Sequence, residues 1–311
     1  DIPAKMWNAC ANHDGYNPFV SHEFFRALEE SGSATAKTGW KGQHLVYENA
    51  EGVIEGIAPC YLKSHSQGEY VFDHGWAEAF QRAGGRYYPK LQSSVPFTPV
   101  TGPRLLSANP GVKKILAQGL VALCEQAKAS SVHITFLPED DLANVDSSDW
   151  LQRQDIQFHW HNRGYASFDD FLASLSSAKR KNIRKERKSV ADAGISFDLV
   201  TGVDLQEEHW DAFFEFYMDT GARKWGSPYL TRKFFSLINA SMNQHILLIL
   251  ARREGRTIAG ALNFIGSSSL YGRNRVAIEH PANIRFEACC YPTTVFFFDP
   301  QFQACGAAAL G

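Results

Sequence analysis

An eight-residue motif occurs twice in this sequence, and the repetition limits the folds that the chain can adopt. Residues 18–25 (PFVSHEFF) reappear as residues 228–235 (PYLTRKFF), with three identical and three conservative positions. Each copy precedes an apolar strand and a second strand with a central glycine, Gly56 or Gly260. Internal repetition of this kind indicates a duplicated structural unit. The alternative is chance similarity between two ordinary amphipathic helices.

The chain of 311 residues is long for one hydrophobic core and sufficient for two. Helical and strand patterns alternate and include hairpins, which predicts an α/β (α+β) protein with mixed sheets. We predict a first domain over residues 1–150 and a second over residues 151–311. Helices are expected at 21–31, 110–129, 168–193, 205–221 and 231–241. Strands are expected at 44–48, 53–63, 132–137, 158–160 and 195–200 and in a hairpin at 246–276. An irregular segment is expected at 66–104.

Bulk composition excludes some classes of protein. Hydrophobic residues make up 44% and charged residues 21% of the chain, as in ordinary globular proteins, and the net charge is −2. Binding to nucleic acid or phosphate therefore requires a local basic patch. The six cysteines are scattered without a CxxC pair, which favours a reducing compartment and argues against zinc. We expect a cytoplasmic protein with no membrane span and no metal, because no apolar run reaches about 18 residues.

The strongest charge feature is a basic segment at residues 179–188, in which seven of ten residues are cationic. On a helix these like charges lie three or four residues apart and repel one another. A nearby anion would relieve the repulsion, and phosphates of a substrate, a cofactor or RNA are the candidates. Lys179, Arg180 and Arg184 are therefore predicted to bind substrate. The alternative is a solvated helix face.

The predicted irregular segment at 66–104 combines aromatic residues with rigid Pro and Gly turns. Together with the cations around it, this composition suits a pocket for an anionic or sugar-like substrate. The predicted substrate-binding residues here are Lys63, Tyr70, Trp76, Tyr88, Lys90 and Arg104. His65 and Asp73 are the candidates for catalytic proton transfer. The alternative is a loop packed by its own aromatic side chains.

Several of these segments resemble the FemAB-like family, a branch of the GNAT acyltransferase superfamily associated with peptidoglycan biosynthesis and recognition. The resemblance covers about residues 7 to 290. In the first half it depends on residues 17–22, 61–73, 87–91 and 95–104. In the second half it depends on residues 158–160, the basic segment, and residues 225–232 and 270–273.

This resemblance implies tandem GNAT-like domains and transfer of an acyl or aminoacyl group to an amine on a phosphate-bearing or cell-wall-like substrate. The implied donor is acyl-CoA or aminoacyl-tRNA, so tRNA is a candidate partner. In such chemistry the enzyme mainly positions an amine against an activated carbonyl. We add four residues near the matching segments of the second half to the predicted substrate site: Lys224, Trp225, Tyr271 and Arg273.

The sequence departs from the family pattern in two ways. The Gln/Arg-x-x-Gly-x-Gly/Ala loop that binds pyrophosphate in CoA-dependent GNAT enzymes is absent from both halves. After Cys290 the resemblance ends, so the second domain is expected to be C-terminally incomplete. Two further hypotheses therefore stay open: a non-catalytic recognition protein that kept the cleft but lost the CoA site, and an RNA-binding protein that uses the basic segment. Neither the oligomeric state nor the identity of donor and acceptor follows from the sequence.

Overall fold

A computed structural model describes residues 2–145, 149–223 and 227–277, together with the backbone of residues 304–307. The chain forms two compact units, Asp1–Ile156 and Gln157–Gly311. Every helix within the described ranges is too short or too polar to cross a lipid bilayer.

The first unit is built on a four-stranded mixed sheet and a separate hairpin. Its helices are α1 (Ala4–Ala11), α2 (His22–Glu30), α3 (His74–Arg82), α4 (Pro110–Gln126) and α5 (Glu139–Leu142). Its strands are β1 (Trp40–Gly42), β2 (Leu45–Glu48), β3 (Ile54–Ala58), β4 (Tyr61–Lys63), β5 (Lys90–Ser93) and β6 (Val132–Ile134). The sheet order is β1-β4-β5-β6, with β5 parallel to β6, while β2 and β3 form the hairpin. Leu116 and Leu120 of α4 contribute to the core against Leu91 of β5.

The second unit surrounds a six-stranded sheet with the order β7-β12-β11-β10-β9-β8. Its strands are β7 (His159–His161), β8 (Ile195–Thr201), β9 (Ile246–Arg253), β10 (Arg256–Ile265), β11 (Ser269–Ala277) and β12 (Ala304–Ala307). Its helices are α6 (Phe168–Ala173), α7 (Ser177–Asp192), α8 (Glu207–Arg223) and α9 (Arg232–Met242). Strand β12, which pairs with β7 and β11, is not predicted from the sequence.

The repeated motif adopts the same local structure in both units. Helices α2 and α9 begin after Ser21 and Thr231, which occupy the N-cap position. Both Phe pairs, Phe24–Phe25 and Phe234–Phe235, are buried. The second Phe of each pair packs on a tryptophan of the helix that precedes it, α1 or α8. The ring centroids of Phe25 and Trp7 are 5.3 Å apart, and those of Phe235 and Trp210 are 5.6 Å apart. The tandem α/β fold was thus predicted correctly, and the two tryptophans extend the repeat beyond the motif.

The glycines of the repeat have a packing function. A Cβ atom on Gly56 would lie 2.5 Å from Val112 Cγ1 of α4, and one on Gly260 would lie 2.9 Å from Phe213 Cδ2 of α8. In each unit a helix therefore approaches the second strand of the pair too closely for any side chain. The glycines let helix and sheet pack against each other without a gap.

The prediction of an irregular segment over residues 66–104 was wrong in its middle part, which contains α3 and β5. Strand β5 has the sequence KLQS and lacks an apolar pattern, yet all four residues are buried. Its polar side chains are paired inside the unit: Gln92 Nε2 donates to Thr135 Oγ1 at 3.0 Å and Ser93 Oγ to the Pro59 carbonyl at 2.8 Å. A strand whose polar side chains are buried in tertiary contacts cannot be found from hydrophobic periodicity.

The single helix predicted for residues 168–193 is in fact two helices, α6 and α7. The break falls at Ser176, whose side chain accepts a hydrogen bond from the Lys179 amide and so begins α7. Arg180 Nη1 donates to the carbonyls of Leu172, Ala173 and Leu175 at 3.2–3.4 Å. The three carbonyls lie at or just beyond the C-terminal end of α6, where helical partners run out, so Arg180 acts as a cap for that helix.

This geometry predicts that Arg180→Ala destabilises the second unit by about 1 kcal/mol, because the partly buried carbonyls of Leu172 and Leu175 lose a donor. The matched control is Lys181→Ala on the same helix, whose exposed side chain should change the free energy of unfolding by less than about 0.5 kcal/mol. Chemical denaturation of both variants measures the difference. Equal stability of the two variants would contradict the capping role.

Candidate active site

The first unit contains two lysines that face each other in its sheet. Lys63 ends β4, Lys90 begins β5, and the two residues are cross-strand partners in the antiparallel register. Both are almost fully buried, with exposed fractions of 0% and 1%. Like charges placed directly opposite each other destabilise a sheet, and buried charges require partners. The sheet therefore needs anions at this position.

The segment between β4 and β5 supplies two buried carboxylates. Lys90 Nζ lies 2.7 Å from Glu69 Oε2 and also donates to Asp73 Oδ2. Glu69 reaches the second lysine as well, since its Oε1 atom lies 3.8 Å from Lys63 Nζ. The four side chains form a compact buried ion cluster, defined here as Lys63, Glu69, Asp73 and Lys90. It has two formal charges of each sign when all four groups are ionised.

Aromatic and hydroxyl side chains surround the ion cluster. The ammonium of Lys63 lies 3.3 Å from the ring centroid of Trp40, a close cation–π contact. Asp73 Oδ2 accepts hydrogen bonds from Tyr87 at 2.8 Å and from Ser66 at 3.0 Å. Ser66 Oγ in turn lies 2.7 Å from the hydroxyl of Tyr88, which is partly exposed. A continuous hydrogen-bonded path therefore leads from Tyr88 at the surface to the buried cluster.

Backbone strain flanks Glu69. Gly68 has φ +79°, and a Cβ there would lie 2.5 Å from the ring of Phe97. Tyr70 has φ +57°, a left-handed conformation that residues other than glycine rarely adopt. Strain of this kind persists only where surrounding contacts fix the chain, and it concentrates at functional sites. Here it turns the Glu69 carboxylate inward, toward the two lysines.

The cluster shifts the pKa values of its members in different directions. Burial lowers the pKa of Lys63 to about 7, against the opposing attraction of Glu69. Burial likewise raises the pKa of Glu69 above its usual range, although Lys90 opposes the shift. Burial would raise the pKa of Asp73, but hydrogen bonds from Lys90, Ser66 and Tyr87 outweigh it and lower the pKa. Asp73 is therefore an anion near neutral pH, while Lys63 is close to half protonated.

The structure separates the two predicted catalytic residues. Asp73 belongs to the ion cluster, whereas His65 is not among its hydrogen-bond partners in the described residues. His65 Nδ1 accepts a hydrogen bond from the Gln67 amide at 3.2 Å, and its ring packs against Gly39. Burial and the charge of Lys63 lower its pKa. The two side chains were predicted together but occupy different environments.

The remaining predicted residues of the first unit divide between the cluster, its rim and the interior. Lys63 and Lys90 belong to the cluster, Tyr88 and Tyr70 are partly exposed near it in sequence, and Trp76 is 63% exposed on α3. Arg104 is fully buried, and its guanidinium donates to the carbonyls of Val100, Gly102, Pro103 and Thr135. That environment fits a structural role for Arg104, because its donors are already engaged by the backbone.

In the second unit, the predicted basic segment lies on the largely exposed helix α7. Arg184 is 3.5 Å from Asp169, and Arg180 caps α6 as described above. The side chains of Lys179, Lys181 and Lys185 make no hydrogen bond or ion pair with the described residues. Tyr271 and Arg273 are half-buried in β11. Lys224 and Trp225 lie outside the described residues.

Sequence reasoning missed three members of this site: Ser66, Glu69 and Tyr87. Each lies in a segment that the family resemblance covers, but no motif links them to Lys63 and Lys90. A lysine in a strand usually points to solvent, so the two buried lysines gave no sign that carboxylates had to be nearby. Recognising residues 90–93 as a strand would have been the useful signal, because an antiparallel partner that begins with Lys90 brings it opposite Lys63 at the end of β4.

Comparison with known proteins gives both a family and a fold. A family model described as FemAB-like, peptidoglycan biosynthesis/recognition, matches residues 1–311. The structure resembles FemX with a TM-score of 0.58 at 12% identity, covering 99% of this chain and 88% of FemX. It also resembles L-PGS from Bacillus licheniformis with a TM-score of 0.50 at 10% identity, covering 93% of this chain and 75% of that one. No curated protein matches the chain by sequence.

Because of the ion cluster, we expect Lys90→Met to lower the free energy of unfolding strongly. This substitution leaves Glu69 and Asp73 buried without their shared cation, which typically costs about 3–5 kcal/mol of stability. Lys41→Met, at an exposed position of β1, is the matched control and should cost less than about 0.5 kcal/mol. Denaturant titration of both variants measures the two losses. A loss below about 1 kcal/mol for Lys90→Met would show that the cluster does not hold the loop to the sheet.

A second prediction concerns His133 of β6, whose pKa is lowered to about 4 by burial and by the charge of Lys90. Between about pH 6.5 and pH 4 the unfolded chain binds a proton at this site that the folded chain does not bind. The free energy of unfolding should therefore fall on acidification through this window, by up to about 1.4 kcal/mol per pH unit.

The variant His133→Gln should flatten this pH dependence, while the control His74→Gln, at an exposed position, should leave it unchanged. Thermal or denaturant unfolding at several pH values gives the measurement. An unchanged slope in His133→Gln would assign the acid sensitivity to other groups.

Proposed function

Because this chain belongs to the FemAB-like family of peptidoglycan biosynthesis/recognition, we propose that it transfers an acyl or aminoacyl group to an amine of a cell-wall precursor. The agreement of its whole length with the fold of FemX supports this proposal. The hydrogen-bonded path from Tyr88 through Ser66 to Asp73 is the observation that supports a role for particular residues in this reaction.

The proposed reaction makes one bond and breaks one. The amine nitrogen of the acceptor attacks the carbonyl carbon of the donor, a C–N bond forms, and the ester or thioester bond of the donor breaks. The leaving group departs with the electron pair, and the nitrogen loses one proton. The protein must orient the two reactants and accept that proton.

In our proposal the hydrogen-bonded path accepts the proton. Tyr88 takes it from the amine and passes its own proton to Ser66, and Ser66 passes one to Asp73. Because the pKa of Asp73 is lowered, the proton does not stay there: Asp73 passes it to Lys90, and Lys90 releases another proton to Glu69. Glu69 Oε1 lies 3.8 Å from Lys63 Nζ, and the pKa of Lys63, about 7, leaves that lysine able to take up the proton from Glu69 near neutral pH.

Helix α7 of the second unit offers a separate proposed contact for an anion, independent of the path in the first unit. Lys179, Lys181 and Lys185 are exposed, and clustered lysines on one helix bind phosphates as point charges. A phosphate-bearing precursor or the backbone of an aminoacyl-tRNA has this chemistry. An acyl-CoA donor also carries phosphates, but the pyrophosphate loop of CoA-dependent GNAT enzymes is absent from the sequence.

We predict that Tyr88→Phe and Ser66→Ala each lower kcat by about 10²-fold with little change in KM, because a positioned proton acceptor contributes about 10²–10⁴-fold to rate. The control Tyr47→Phe changes a tyrosine of β2 outside the site. The assay supplies a lysine-containing muropeptide as acceptor, with an aminoacyl-tRNA or acetyl-CoA as donor, and detects the acylated product by mass spectrometry.

The pH profile distinguishes a proton path from simple packing. The rate should rise as the pH increases through about 7, where Lys63 loses its proton, and Lys63→Met should remove that rise. Muropeptide binding without product from either donor, detected as a thermal shift, would favour the non-catalytic recognition protein instead. Wild-type kinetics in both Tyr88→Phe and Ser66→Ala would show that the path carries no proton.

A further inference from the structure

A buried tryptophan occupies the sheet position next to the two lysines of the ion cluster. Trp40 of β1 is the cross-strand partner of Lys63 in β4, and Lys63 is in turn the partner of Lys90 in β5. Residues in register on neighbouring antiparallel strands lie on the same face of the sheet. Lys63 therefore has an aromatic side chain on one side and a second cation on the other.

The Lys63 ammonium lies closer to the ring of Trp40 than to the oxygens of Gln67 and Glu69. It is 3.3 Å from the ring centroid. The Gln67 carbonyl oxygen is 3.4 Å from Lys63 Nζ and Glu69 Oε1 is 3.8 Å away, and both distances are longer than a usual hydrogen bond. The other oxygen of Glu69 accepts a hydrogen bond from Lys90 at 2.7 Å. The carboxylate thus pairs mainly with Lys90, and the aromatic ring pairs with Lys63.

The position of Trp40 favours the use of its ring face over the use of its N–H group. Trp40 is fully buried, yet its Nε1 atom makes no hydrogen bond in the part of the chain that the structure describes. A buried tryptophan usually pairs this donor. Other rings fix the indole instead: the ring centroid of Tyr61 lies 5.4 Å away and that of Phe97 lies 5.2 Å away, both in edge-to-face geometry.

The charged groups around Lys63 do not hold its proton firmly. Burial lowers the pKa of Lys63 to about 7, Glu69 opposes the shift, Lys90 adds to it, and Asp73 opposes it. His65, two residues further along the chain, is neutral near pH 7, because burial and the charge of Lys63 lower its pKa. The partner at position 40 therefore has a strong influence on whether Lys63 is charged.

An aromatic partner suits a lysine that gains and loses a proton. A carboxylate at position 40 would be left as a buried, unpaired anion each time the lysine became neutral. An alkyl side chain there would leave the ammonium without a compensating partner on that side. The face of a tryptophan attracts the ammonium electrostatically, and because the ring has no net charge, it also tolerates the neutral amine.

We propose that Trp40 is the positioning residue that makes Lys63 a reversible proton acceptor. Its ring holds the ammonium at a fixed place on the sheet and accommodates the neutral amine at the same place. The role of this contact in catalysis rests on the proposed function, whereas its effect on the protonation of Lys63 does not. Within the proposed reaction, Trp40 sets the pH range in which the last group of the proton path can accept a proton.

NMR titration of the lysine side chains tests this proposal directly. The full chain is labelled with carbon-13 at lysine Cε, and the Lys63 signal is identified by its loss in Lys63→Met. Trp40→Leu should lower the pKa of Lys63 by about one unit or more, because a desolvated cation–π contact is lost. Trp40→Phe keeps an aromatic face and should lower it less. Trp7→Leu removes another buried tryptophan of the first unit and, as the matched control, should leave the pKa of Lys63 unchanged.

A second measurement preserves the shape of the ring and does not depend on whether Trp40→Leu folds. Growth with 5-fluorotryptophan replaces all seven tryptophans of the chain. Fluorine withdraws electrons from the ring face that attracts the ammonium, so the pKa of Lys63 should fall in the fluorinated wild type. The same labelling of Trp40→Phe should leave the pKa of Lys63 where it was, because the other tryptophans do not contribute.

Kinetics separate this inference from the proposed function. In Trp40→Phe the rise of the rate with pH should move to lower pH by the same amount as the pKa of Lys63. An unchanged pKa of Lys63 in the fluorinated wild type and in the Trp40 variants that fold would overturn the inference. A shifted pKa of Lys63 with an unshifted rate profile would confirm that Trp40 controls Lys63 and would count against the proposed proton path.

Discussion

The ion pair between Lys90 and the two carboxylates of Glu69 and Asp73 holds the first unit's site together. Strand β5 can lie in the middle of its sheet with a lysine at its first position only because both carboxylates reach that lysine. The same contacts fix the segment between β4 and β5 and define where α3 begins. Burial lowers the pKa of Lys63, the charge of Glu69 opposes that shift, and the charge of Lys90 adds to it. Removing one member leaves the others buried and unpaired, which is why the cluster acts as a unit.

The two units use the repeated motif in the same way and diverge elsewhere. In both, a Phe pair follows an N-cap residue, and the second Phe packs on a tryptophan of another helix. In both, a glycine in the following strand pair admits a closely packed helix. The ion cluster lies in the first unit, and the basic helix α7 lies in the second. The duplication therefore accounts for the scaffold, and the segments outside it carry the chemistry that we propose.

Sequence patterns predicted elements well where side-chain periodicity reports burial directly. Helices α2, α4 and α9 and the hairpin of β9 and β10 were found this way, since apolar residues on one face or in one strand mark the core. The same reasoning failed for β5, whose polar residues are buried in pairs, and for the break between α6 and α7, which depends on Arg180 contacting carbonyls up to eight residues earlier. In both cases the decisive contacts join residues whose spacing along the chain matches neither the helix period nor the strand period.

The sequence by itself determined the duplication, the family, the α/β class and most of the residue types of the candidate site. Local propensity and short-range repetition are sufficient for these, because each depends on neighbours along the chain. Only the tertiary structure decided that Lys63 and Lys90 face each other across two strands, that Glu69 and Asp73 neutralise them, and that Arg104 points into the interior. The reason is physical: the charge state and role of a side chain follow from its burial and its partners, and both are set by strand register and loop path.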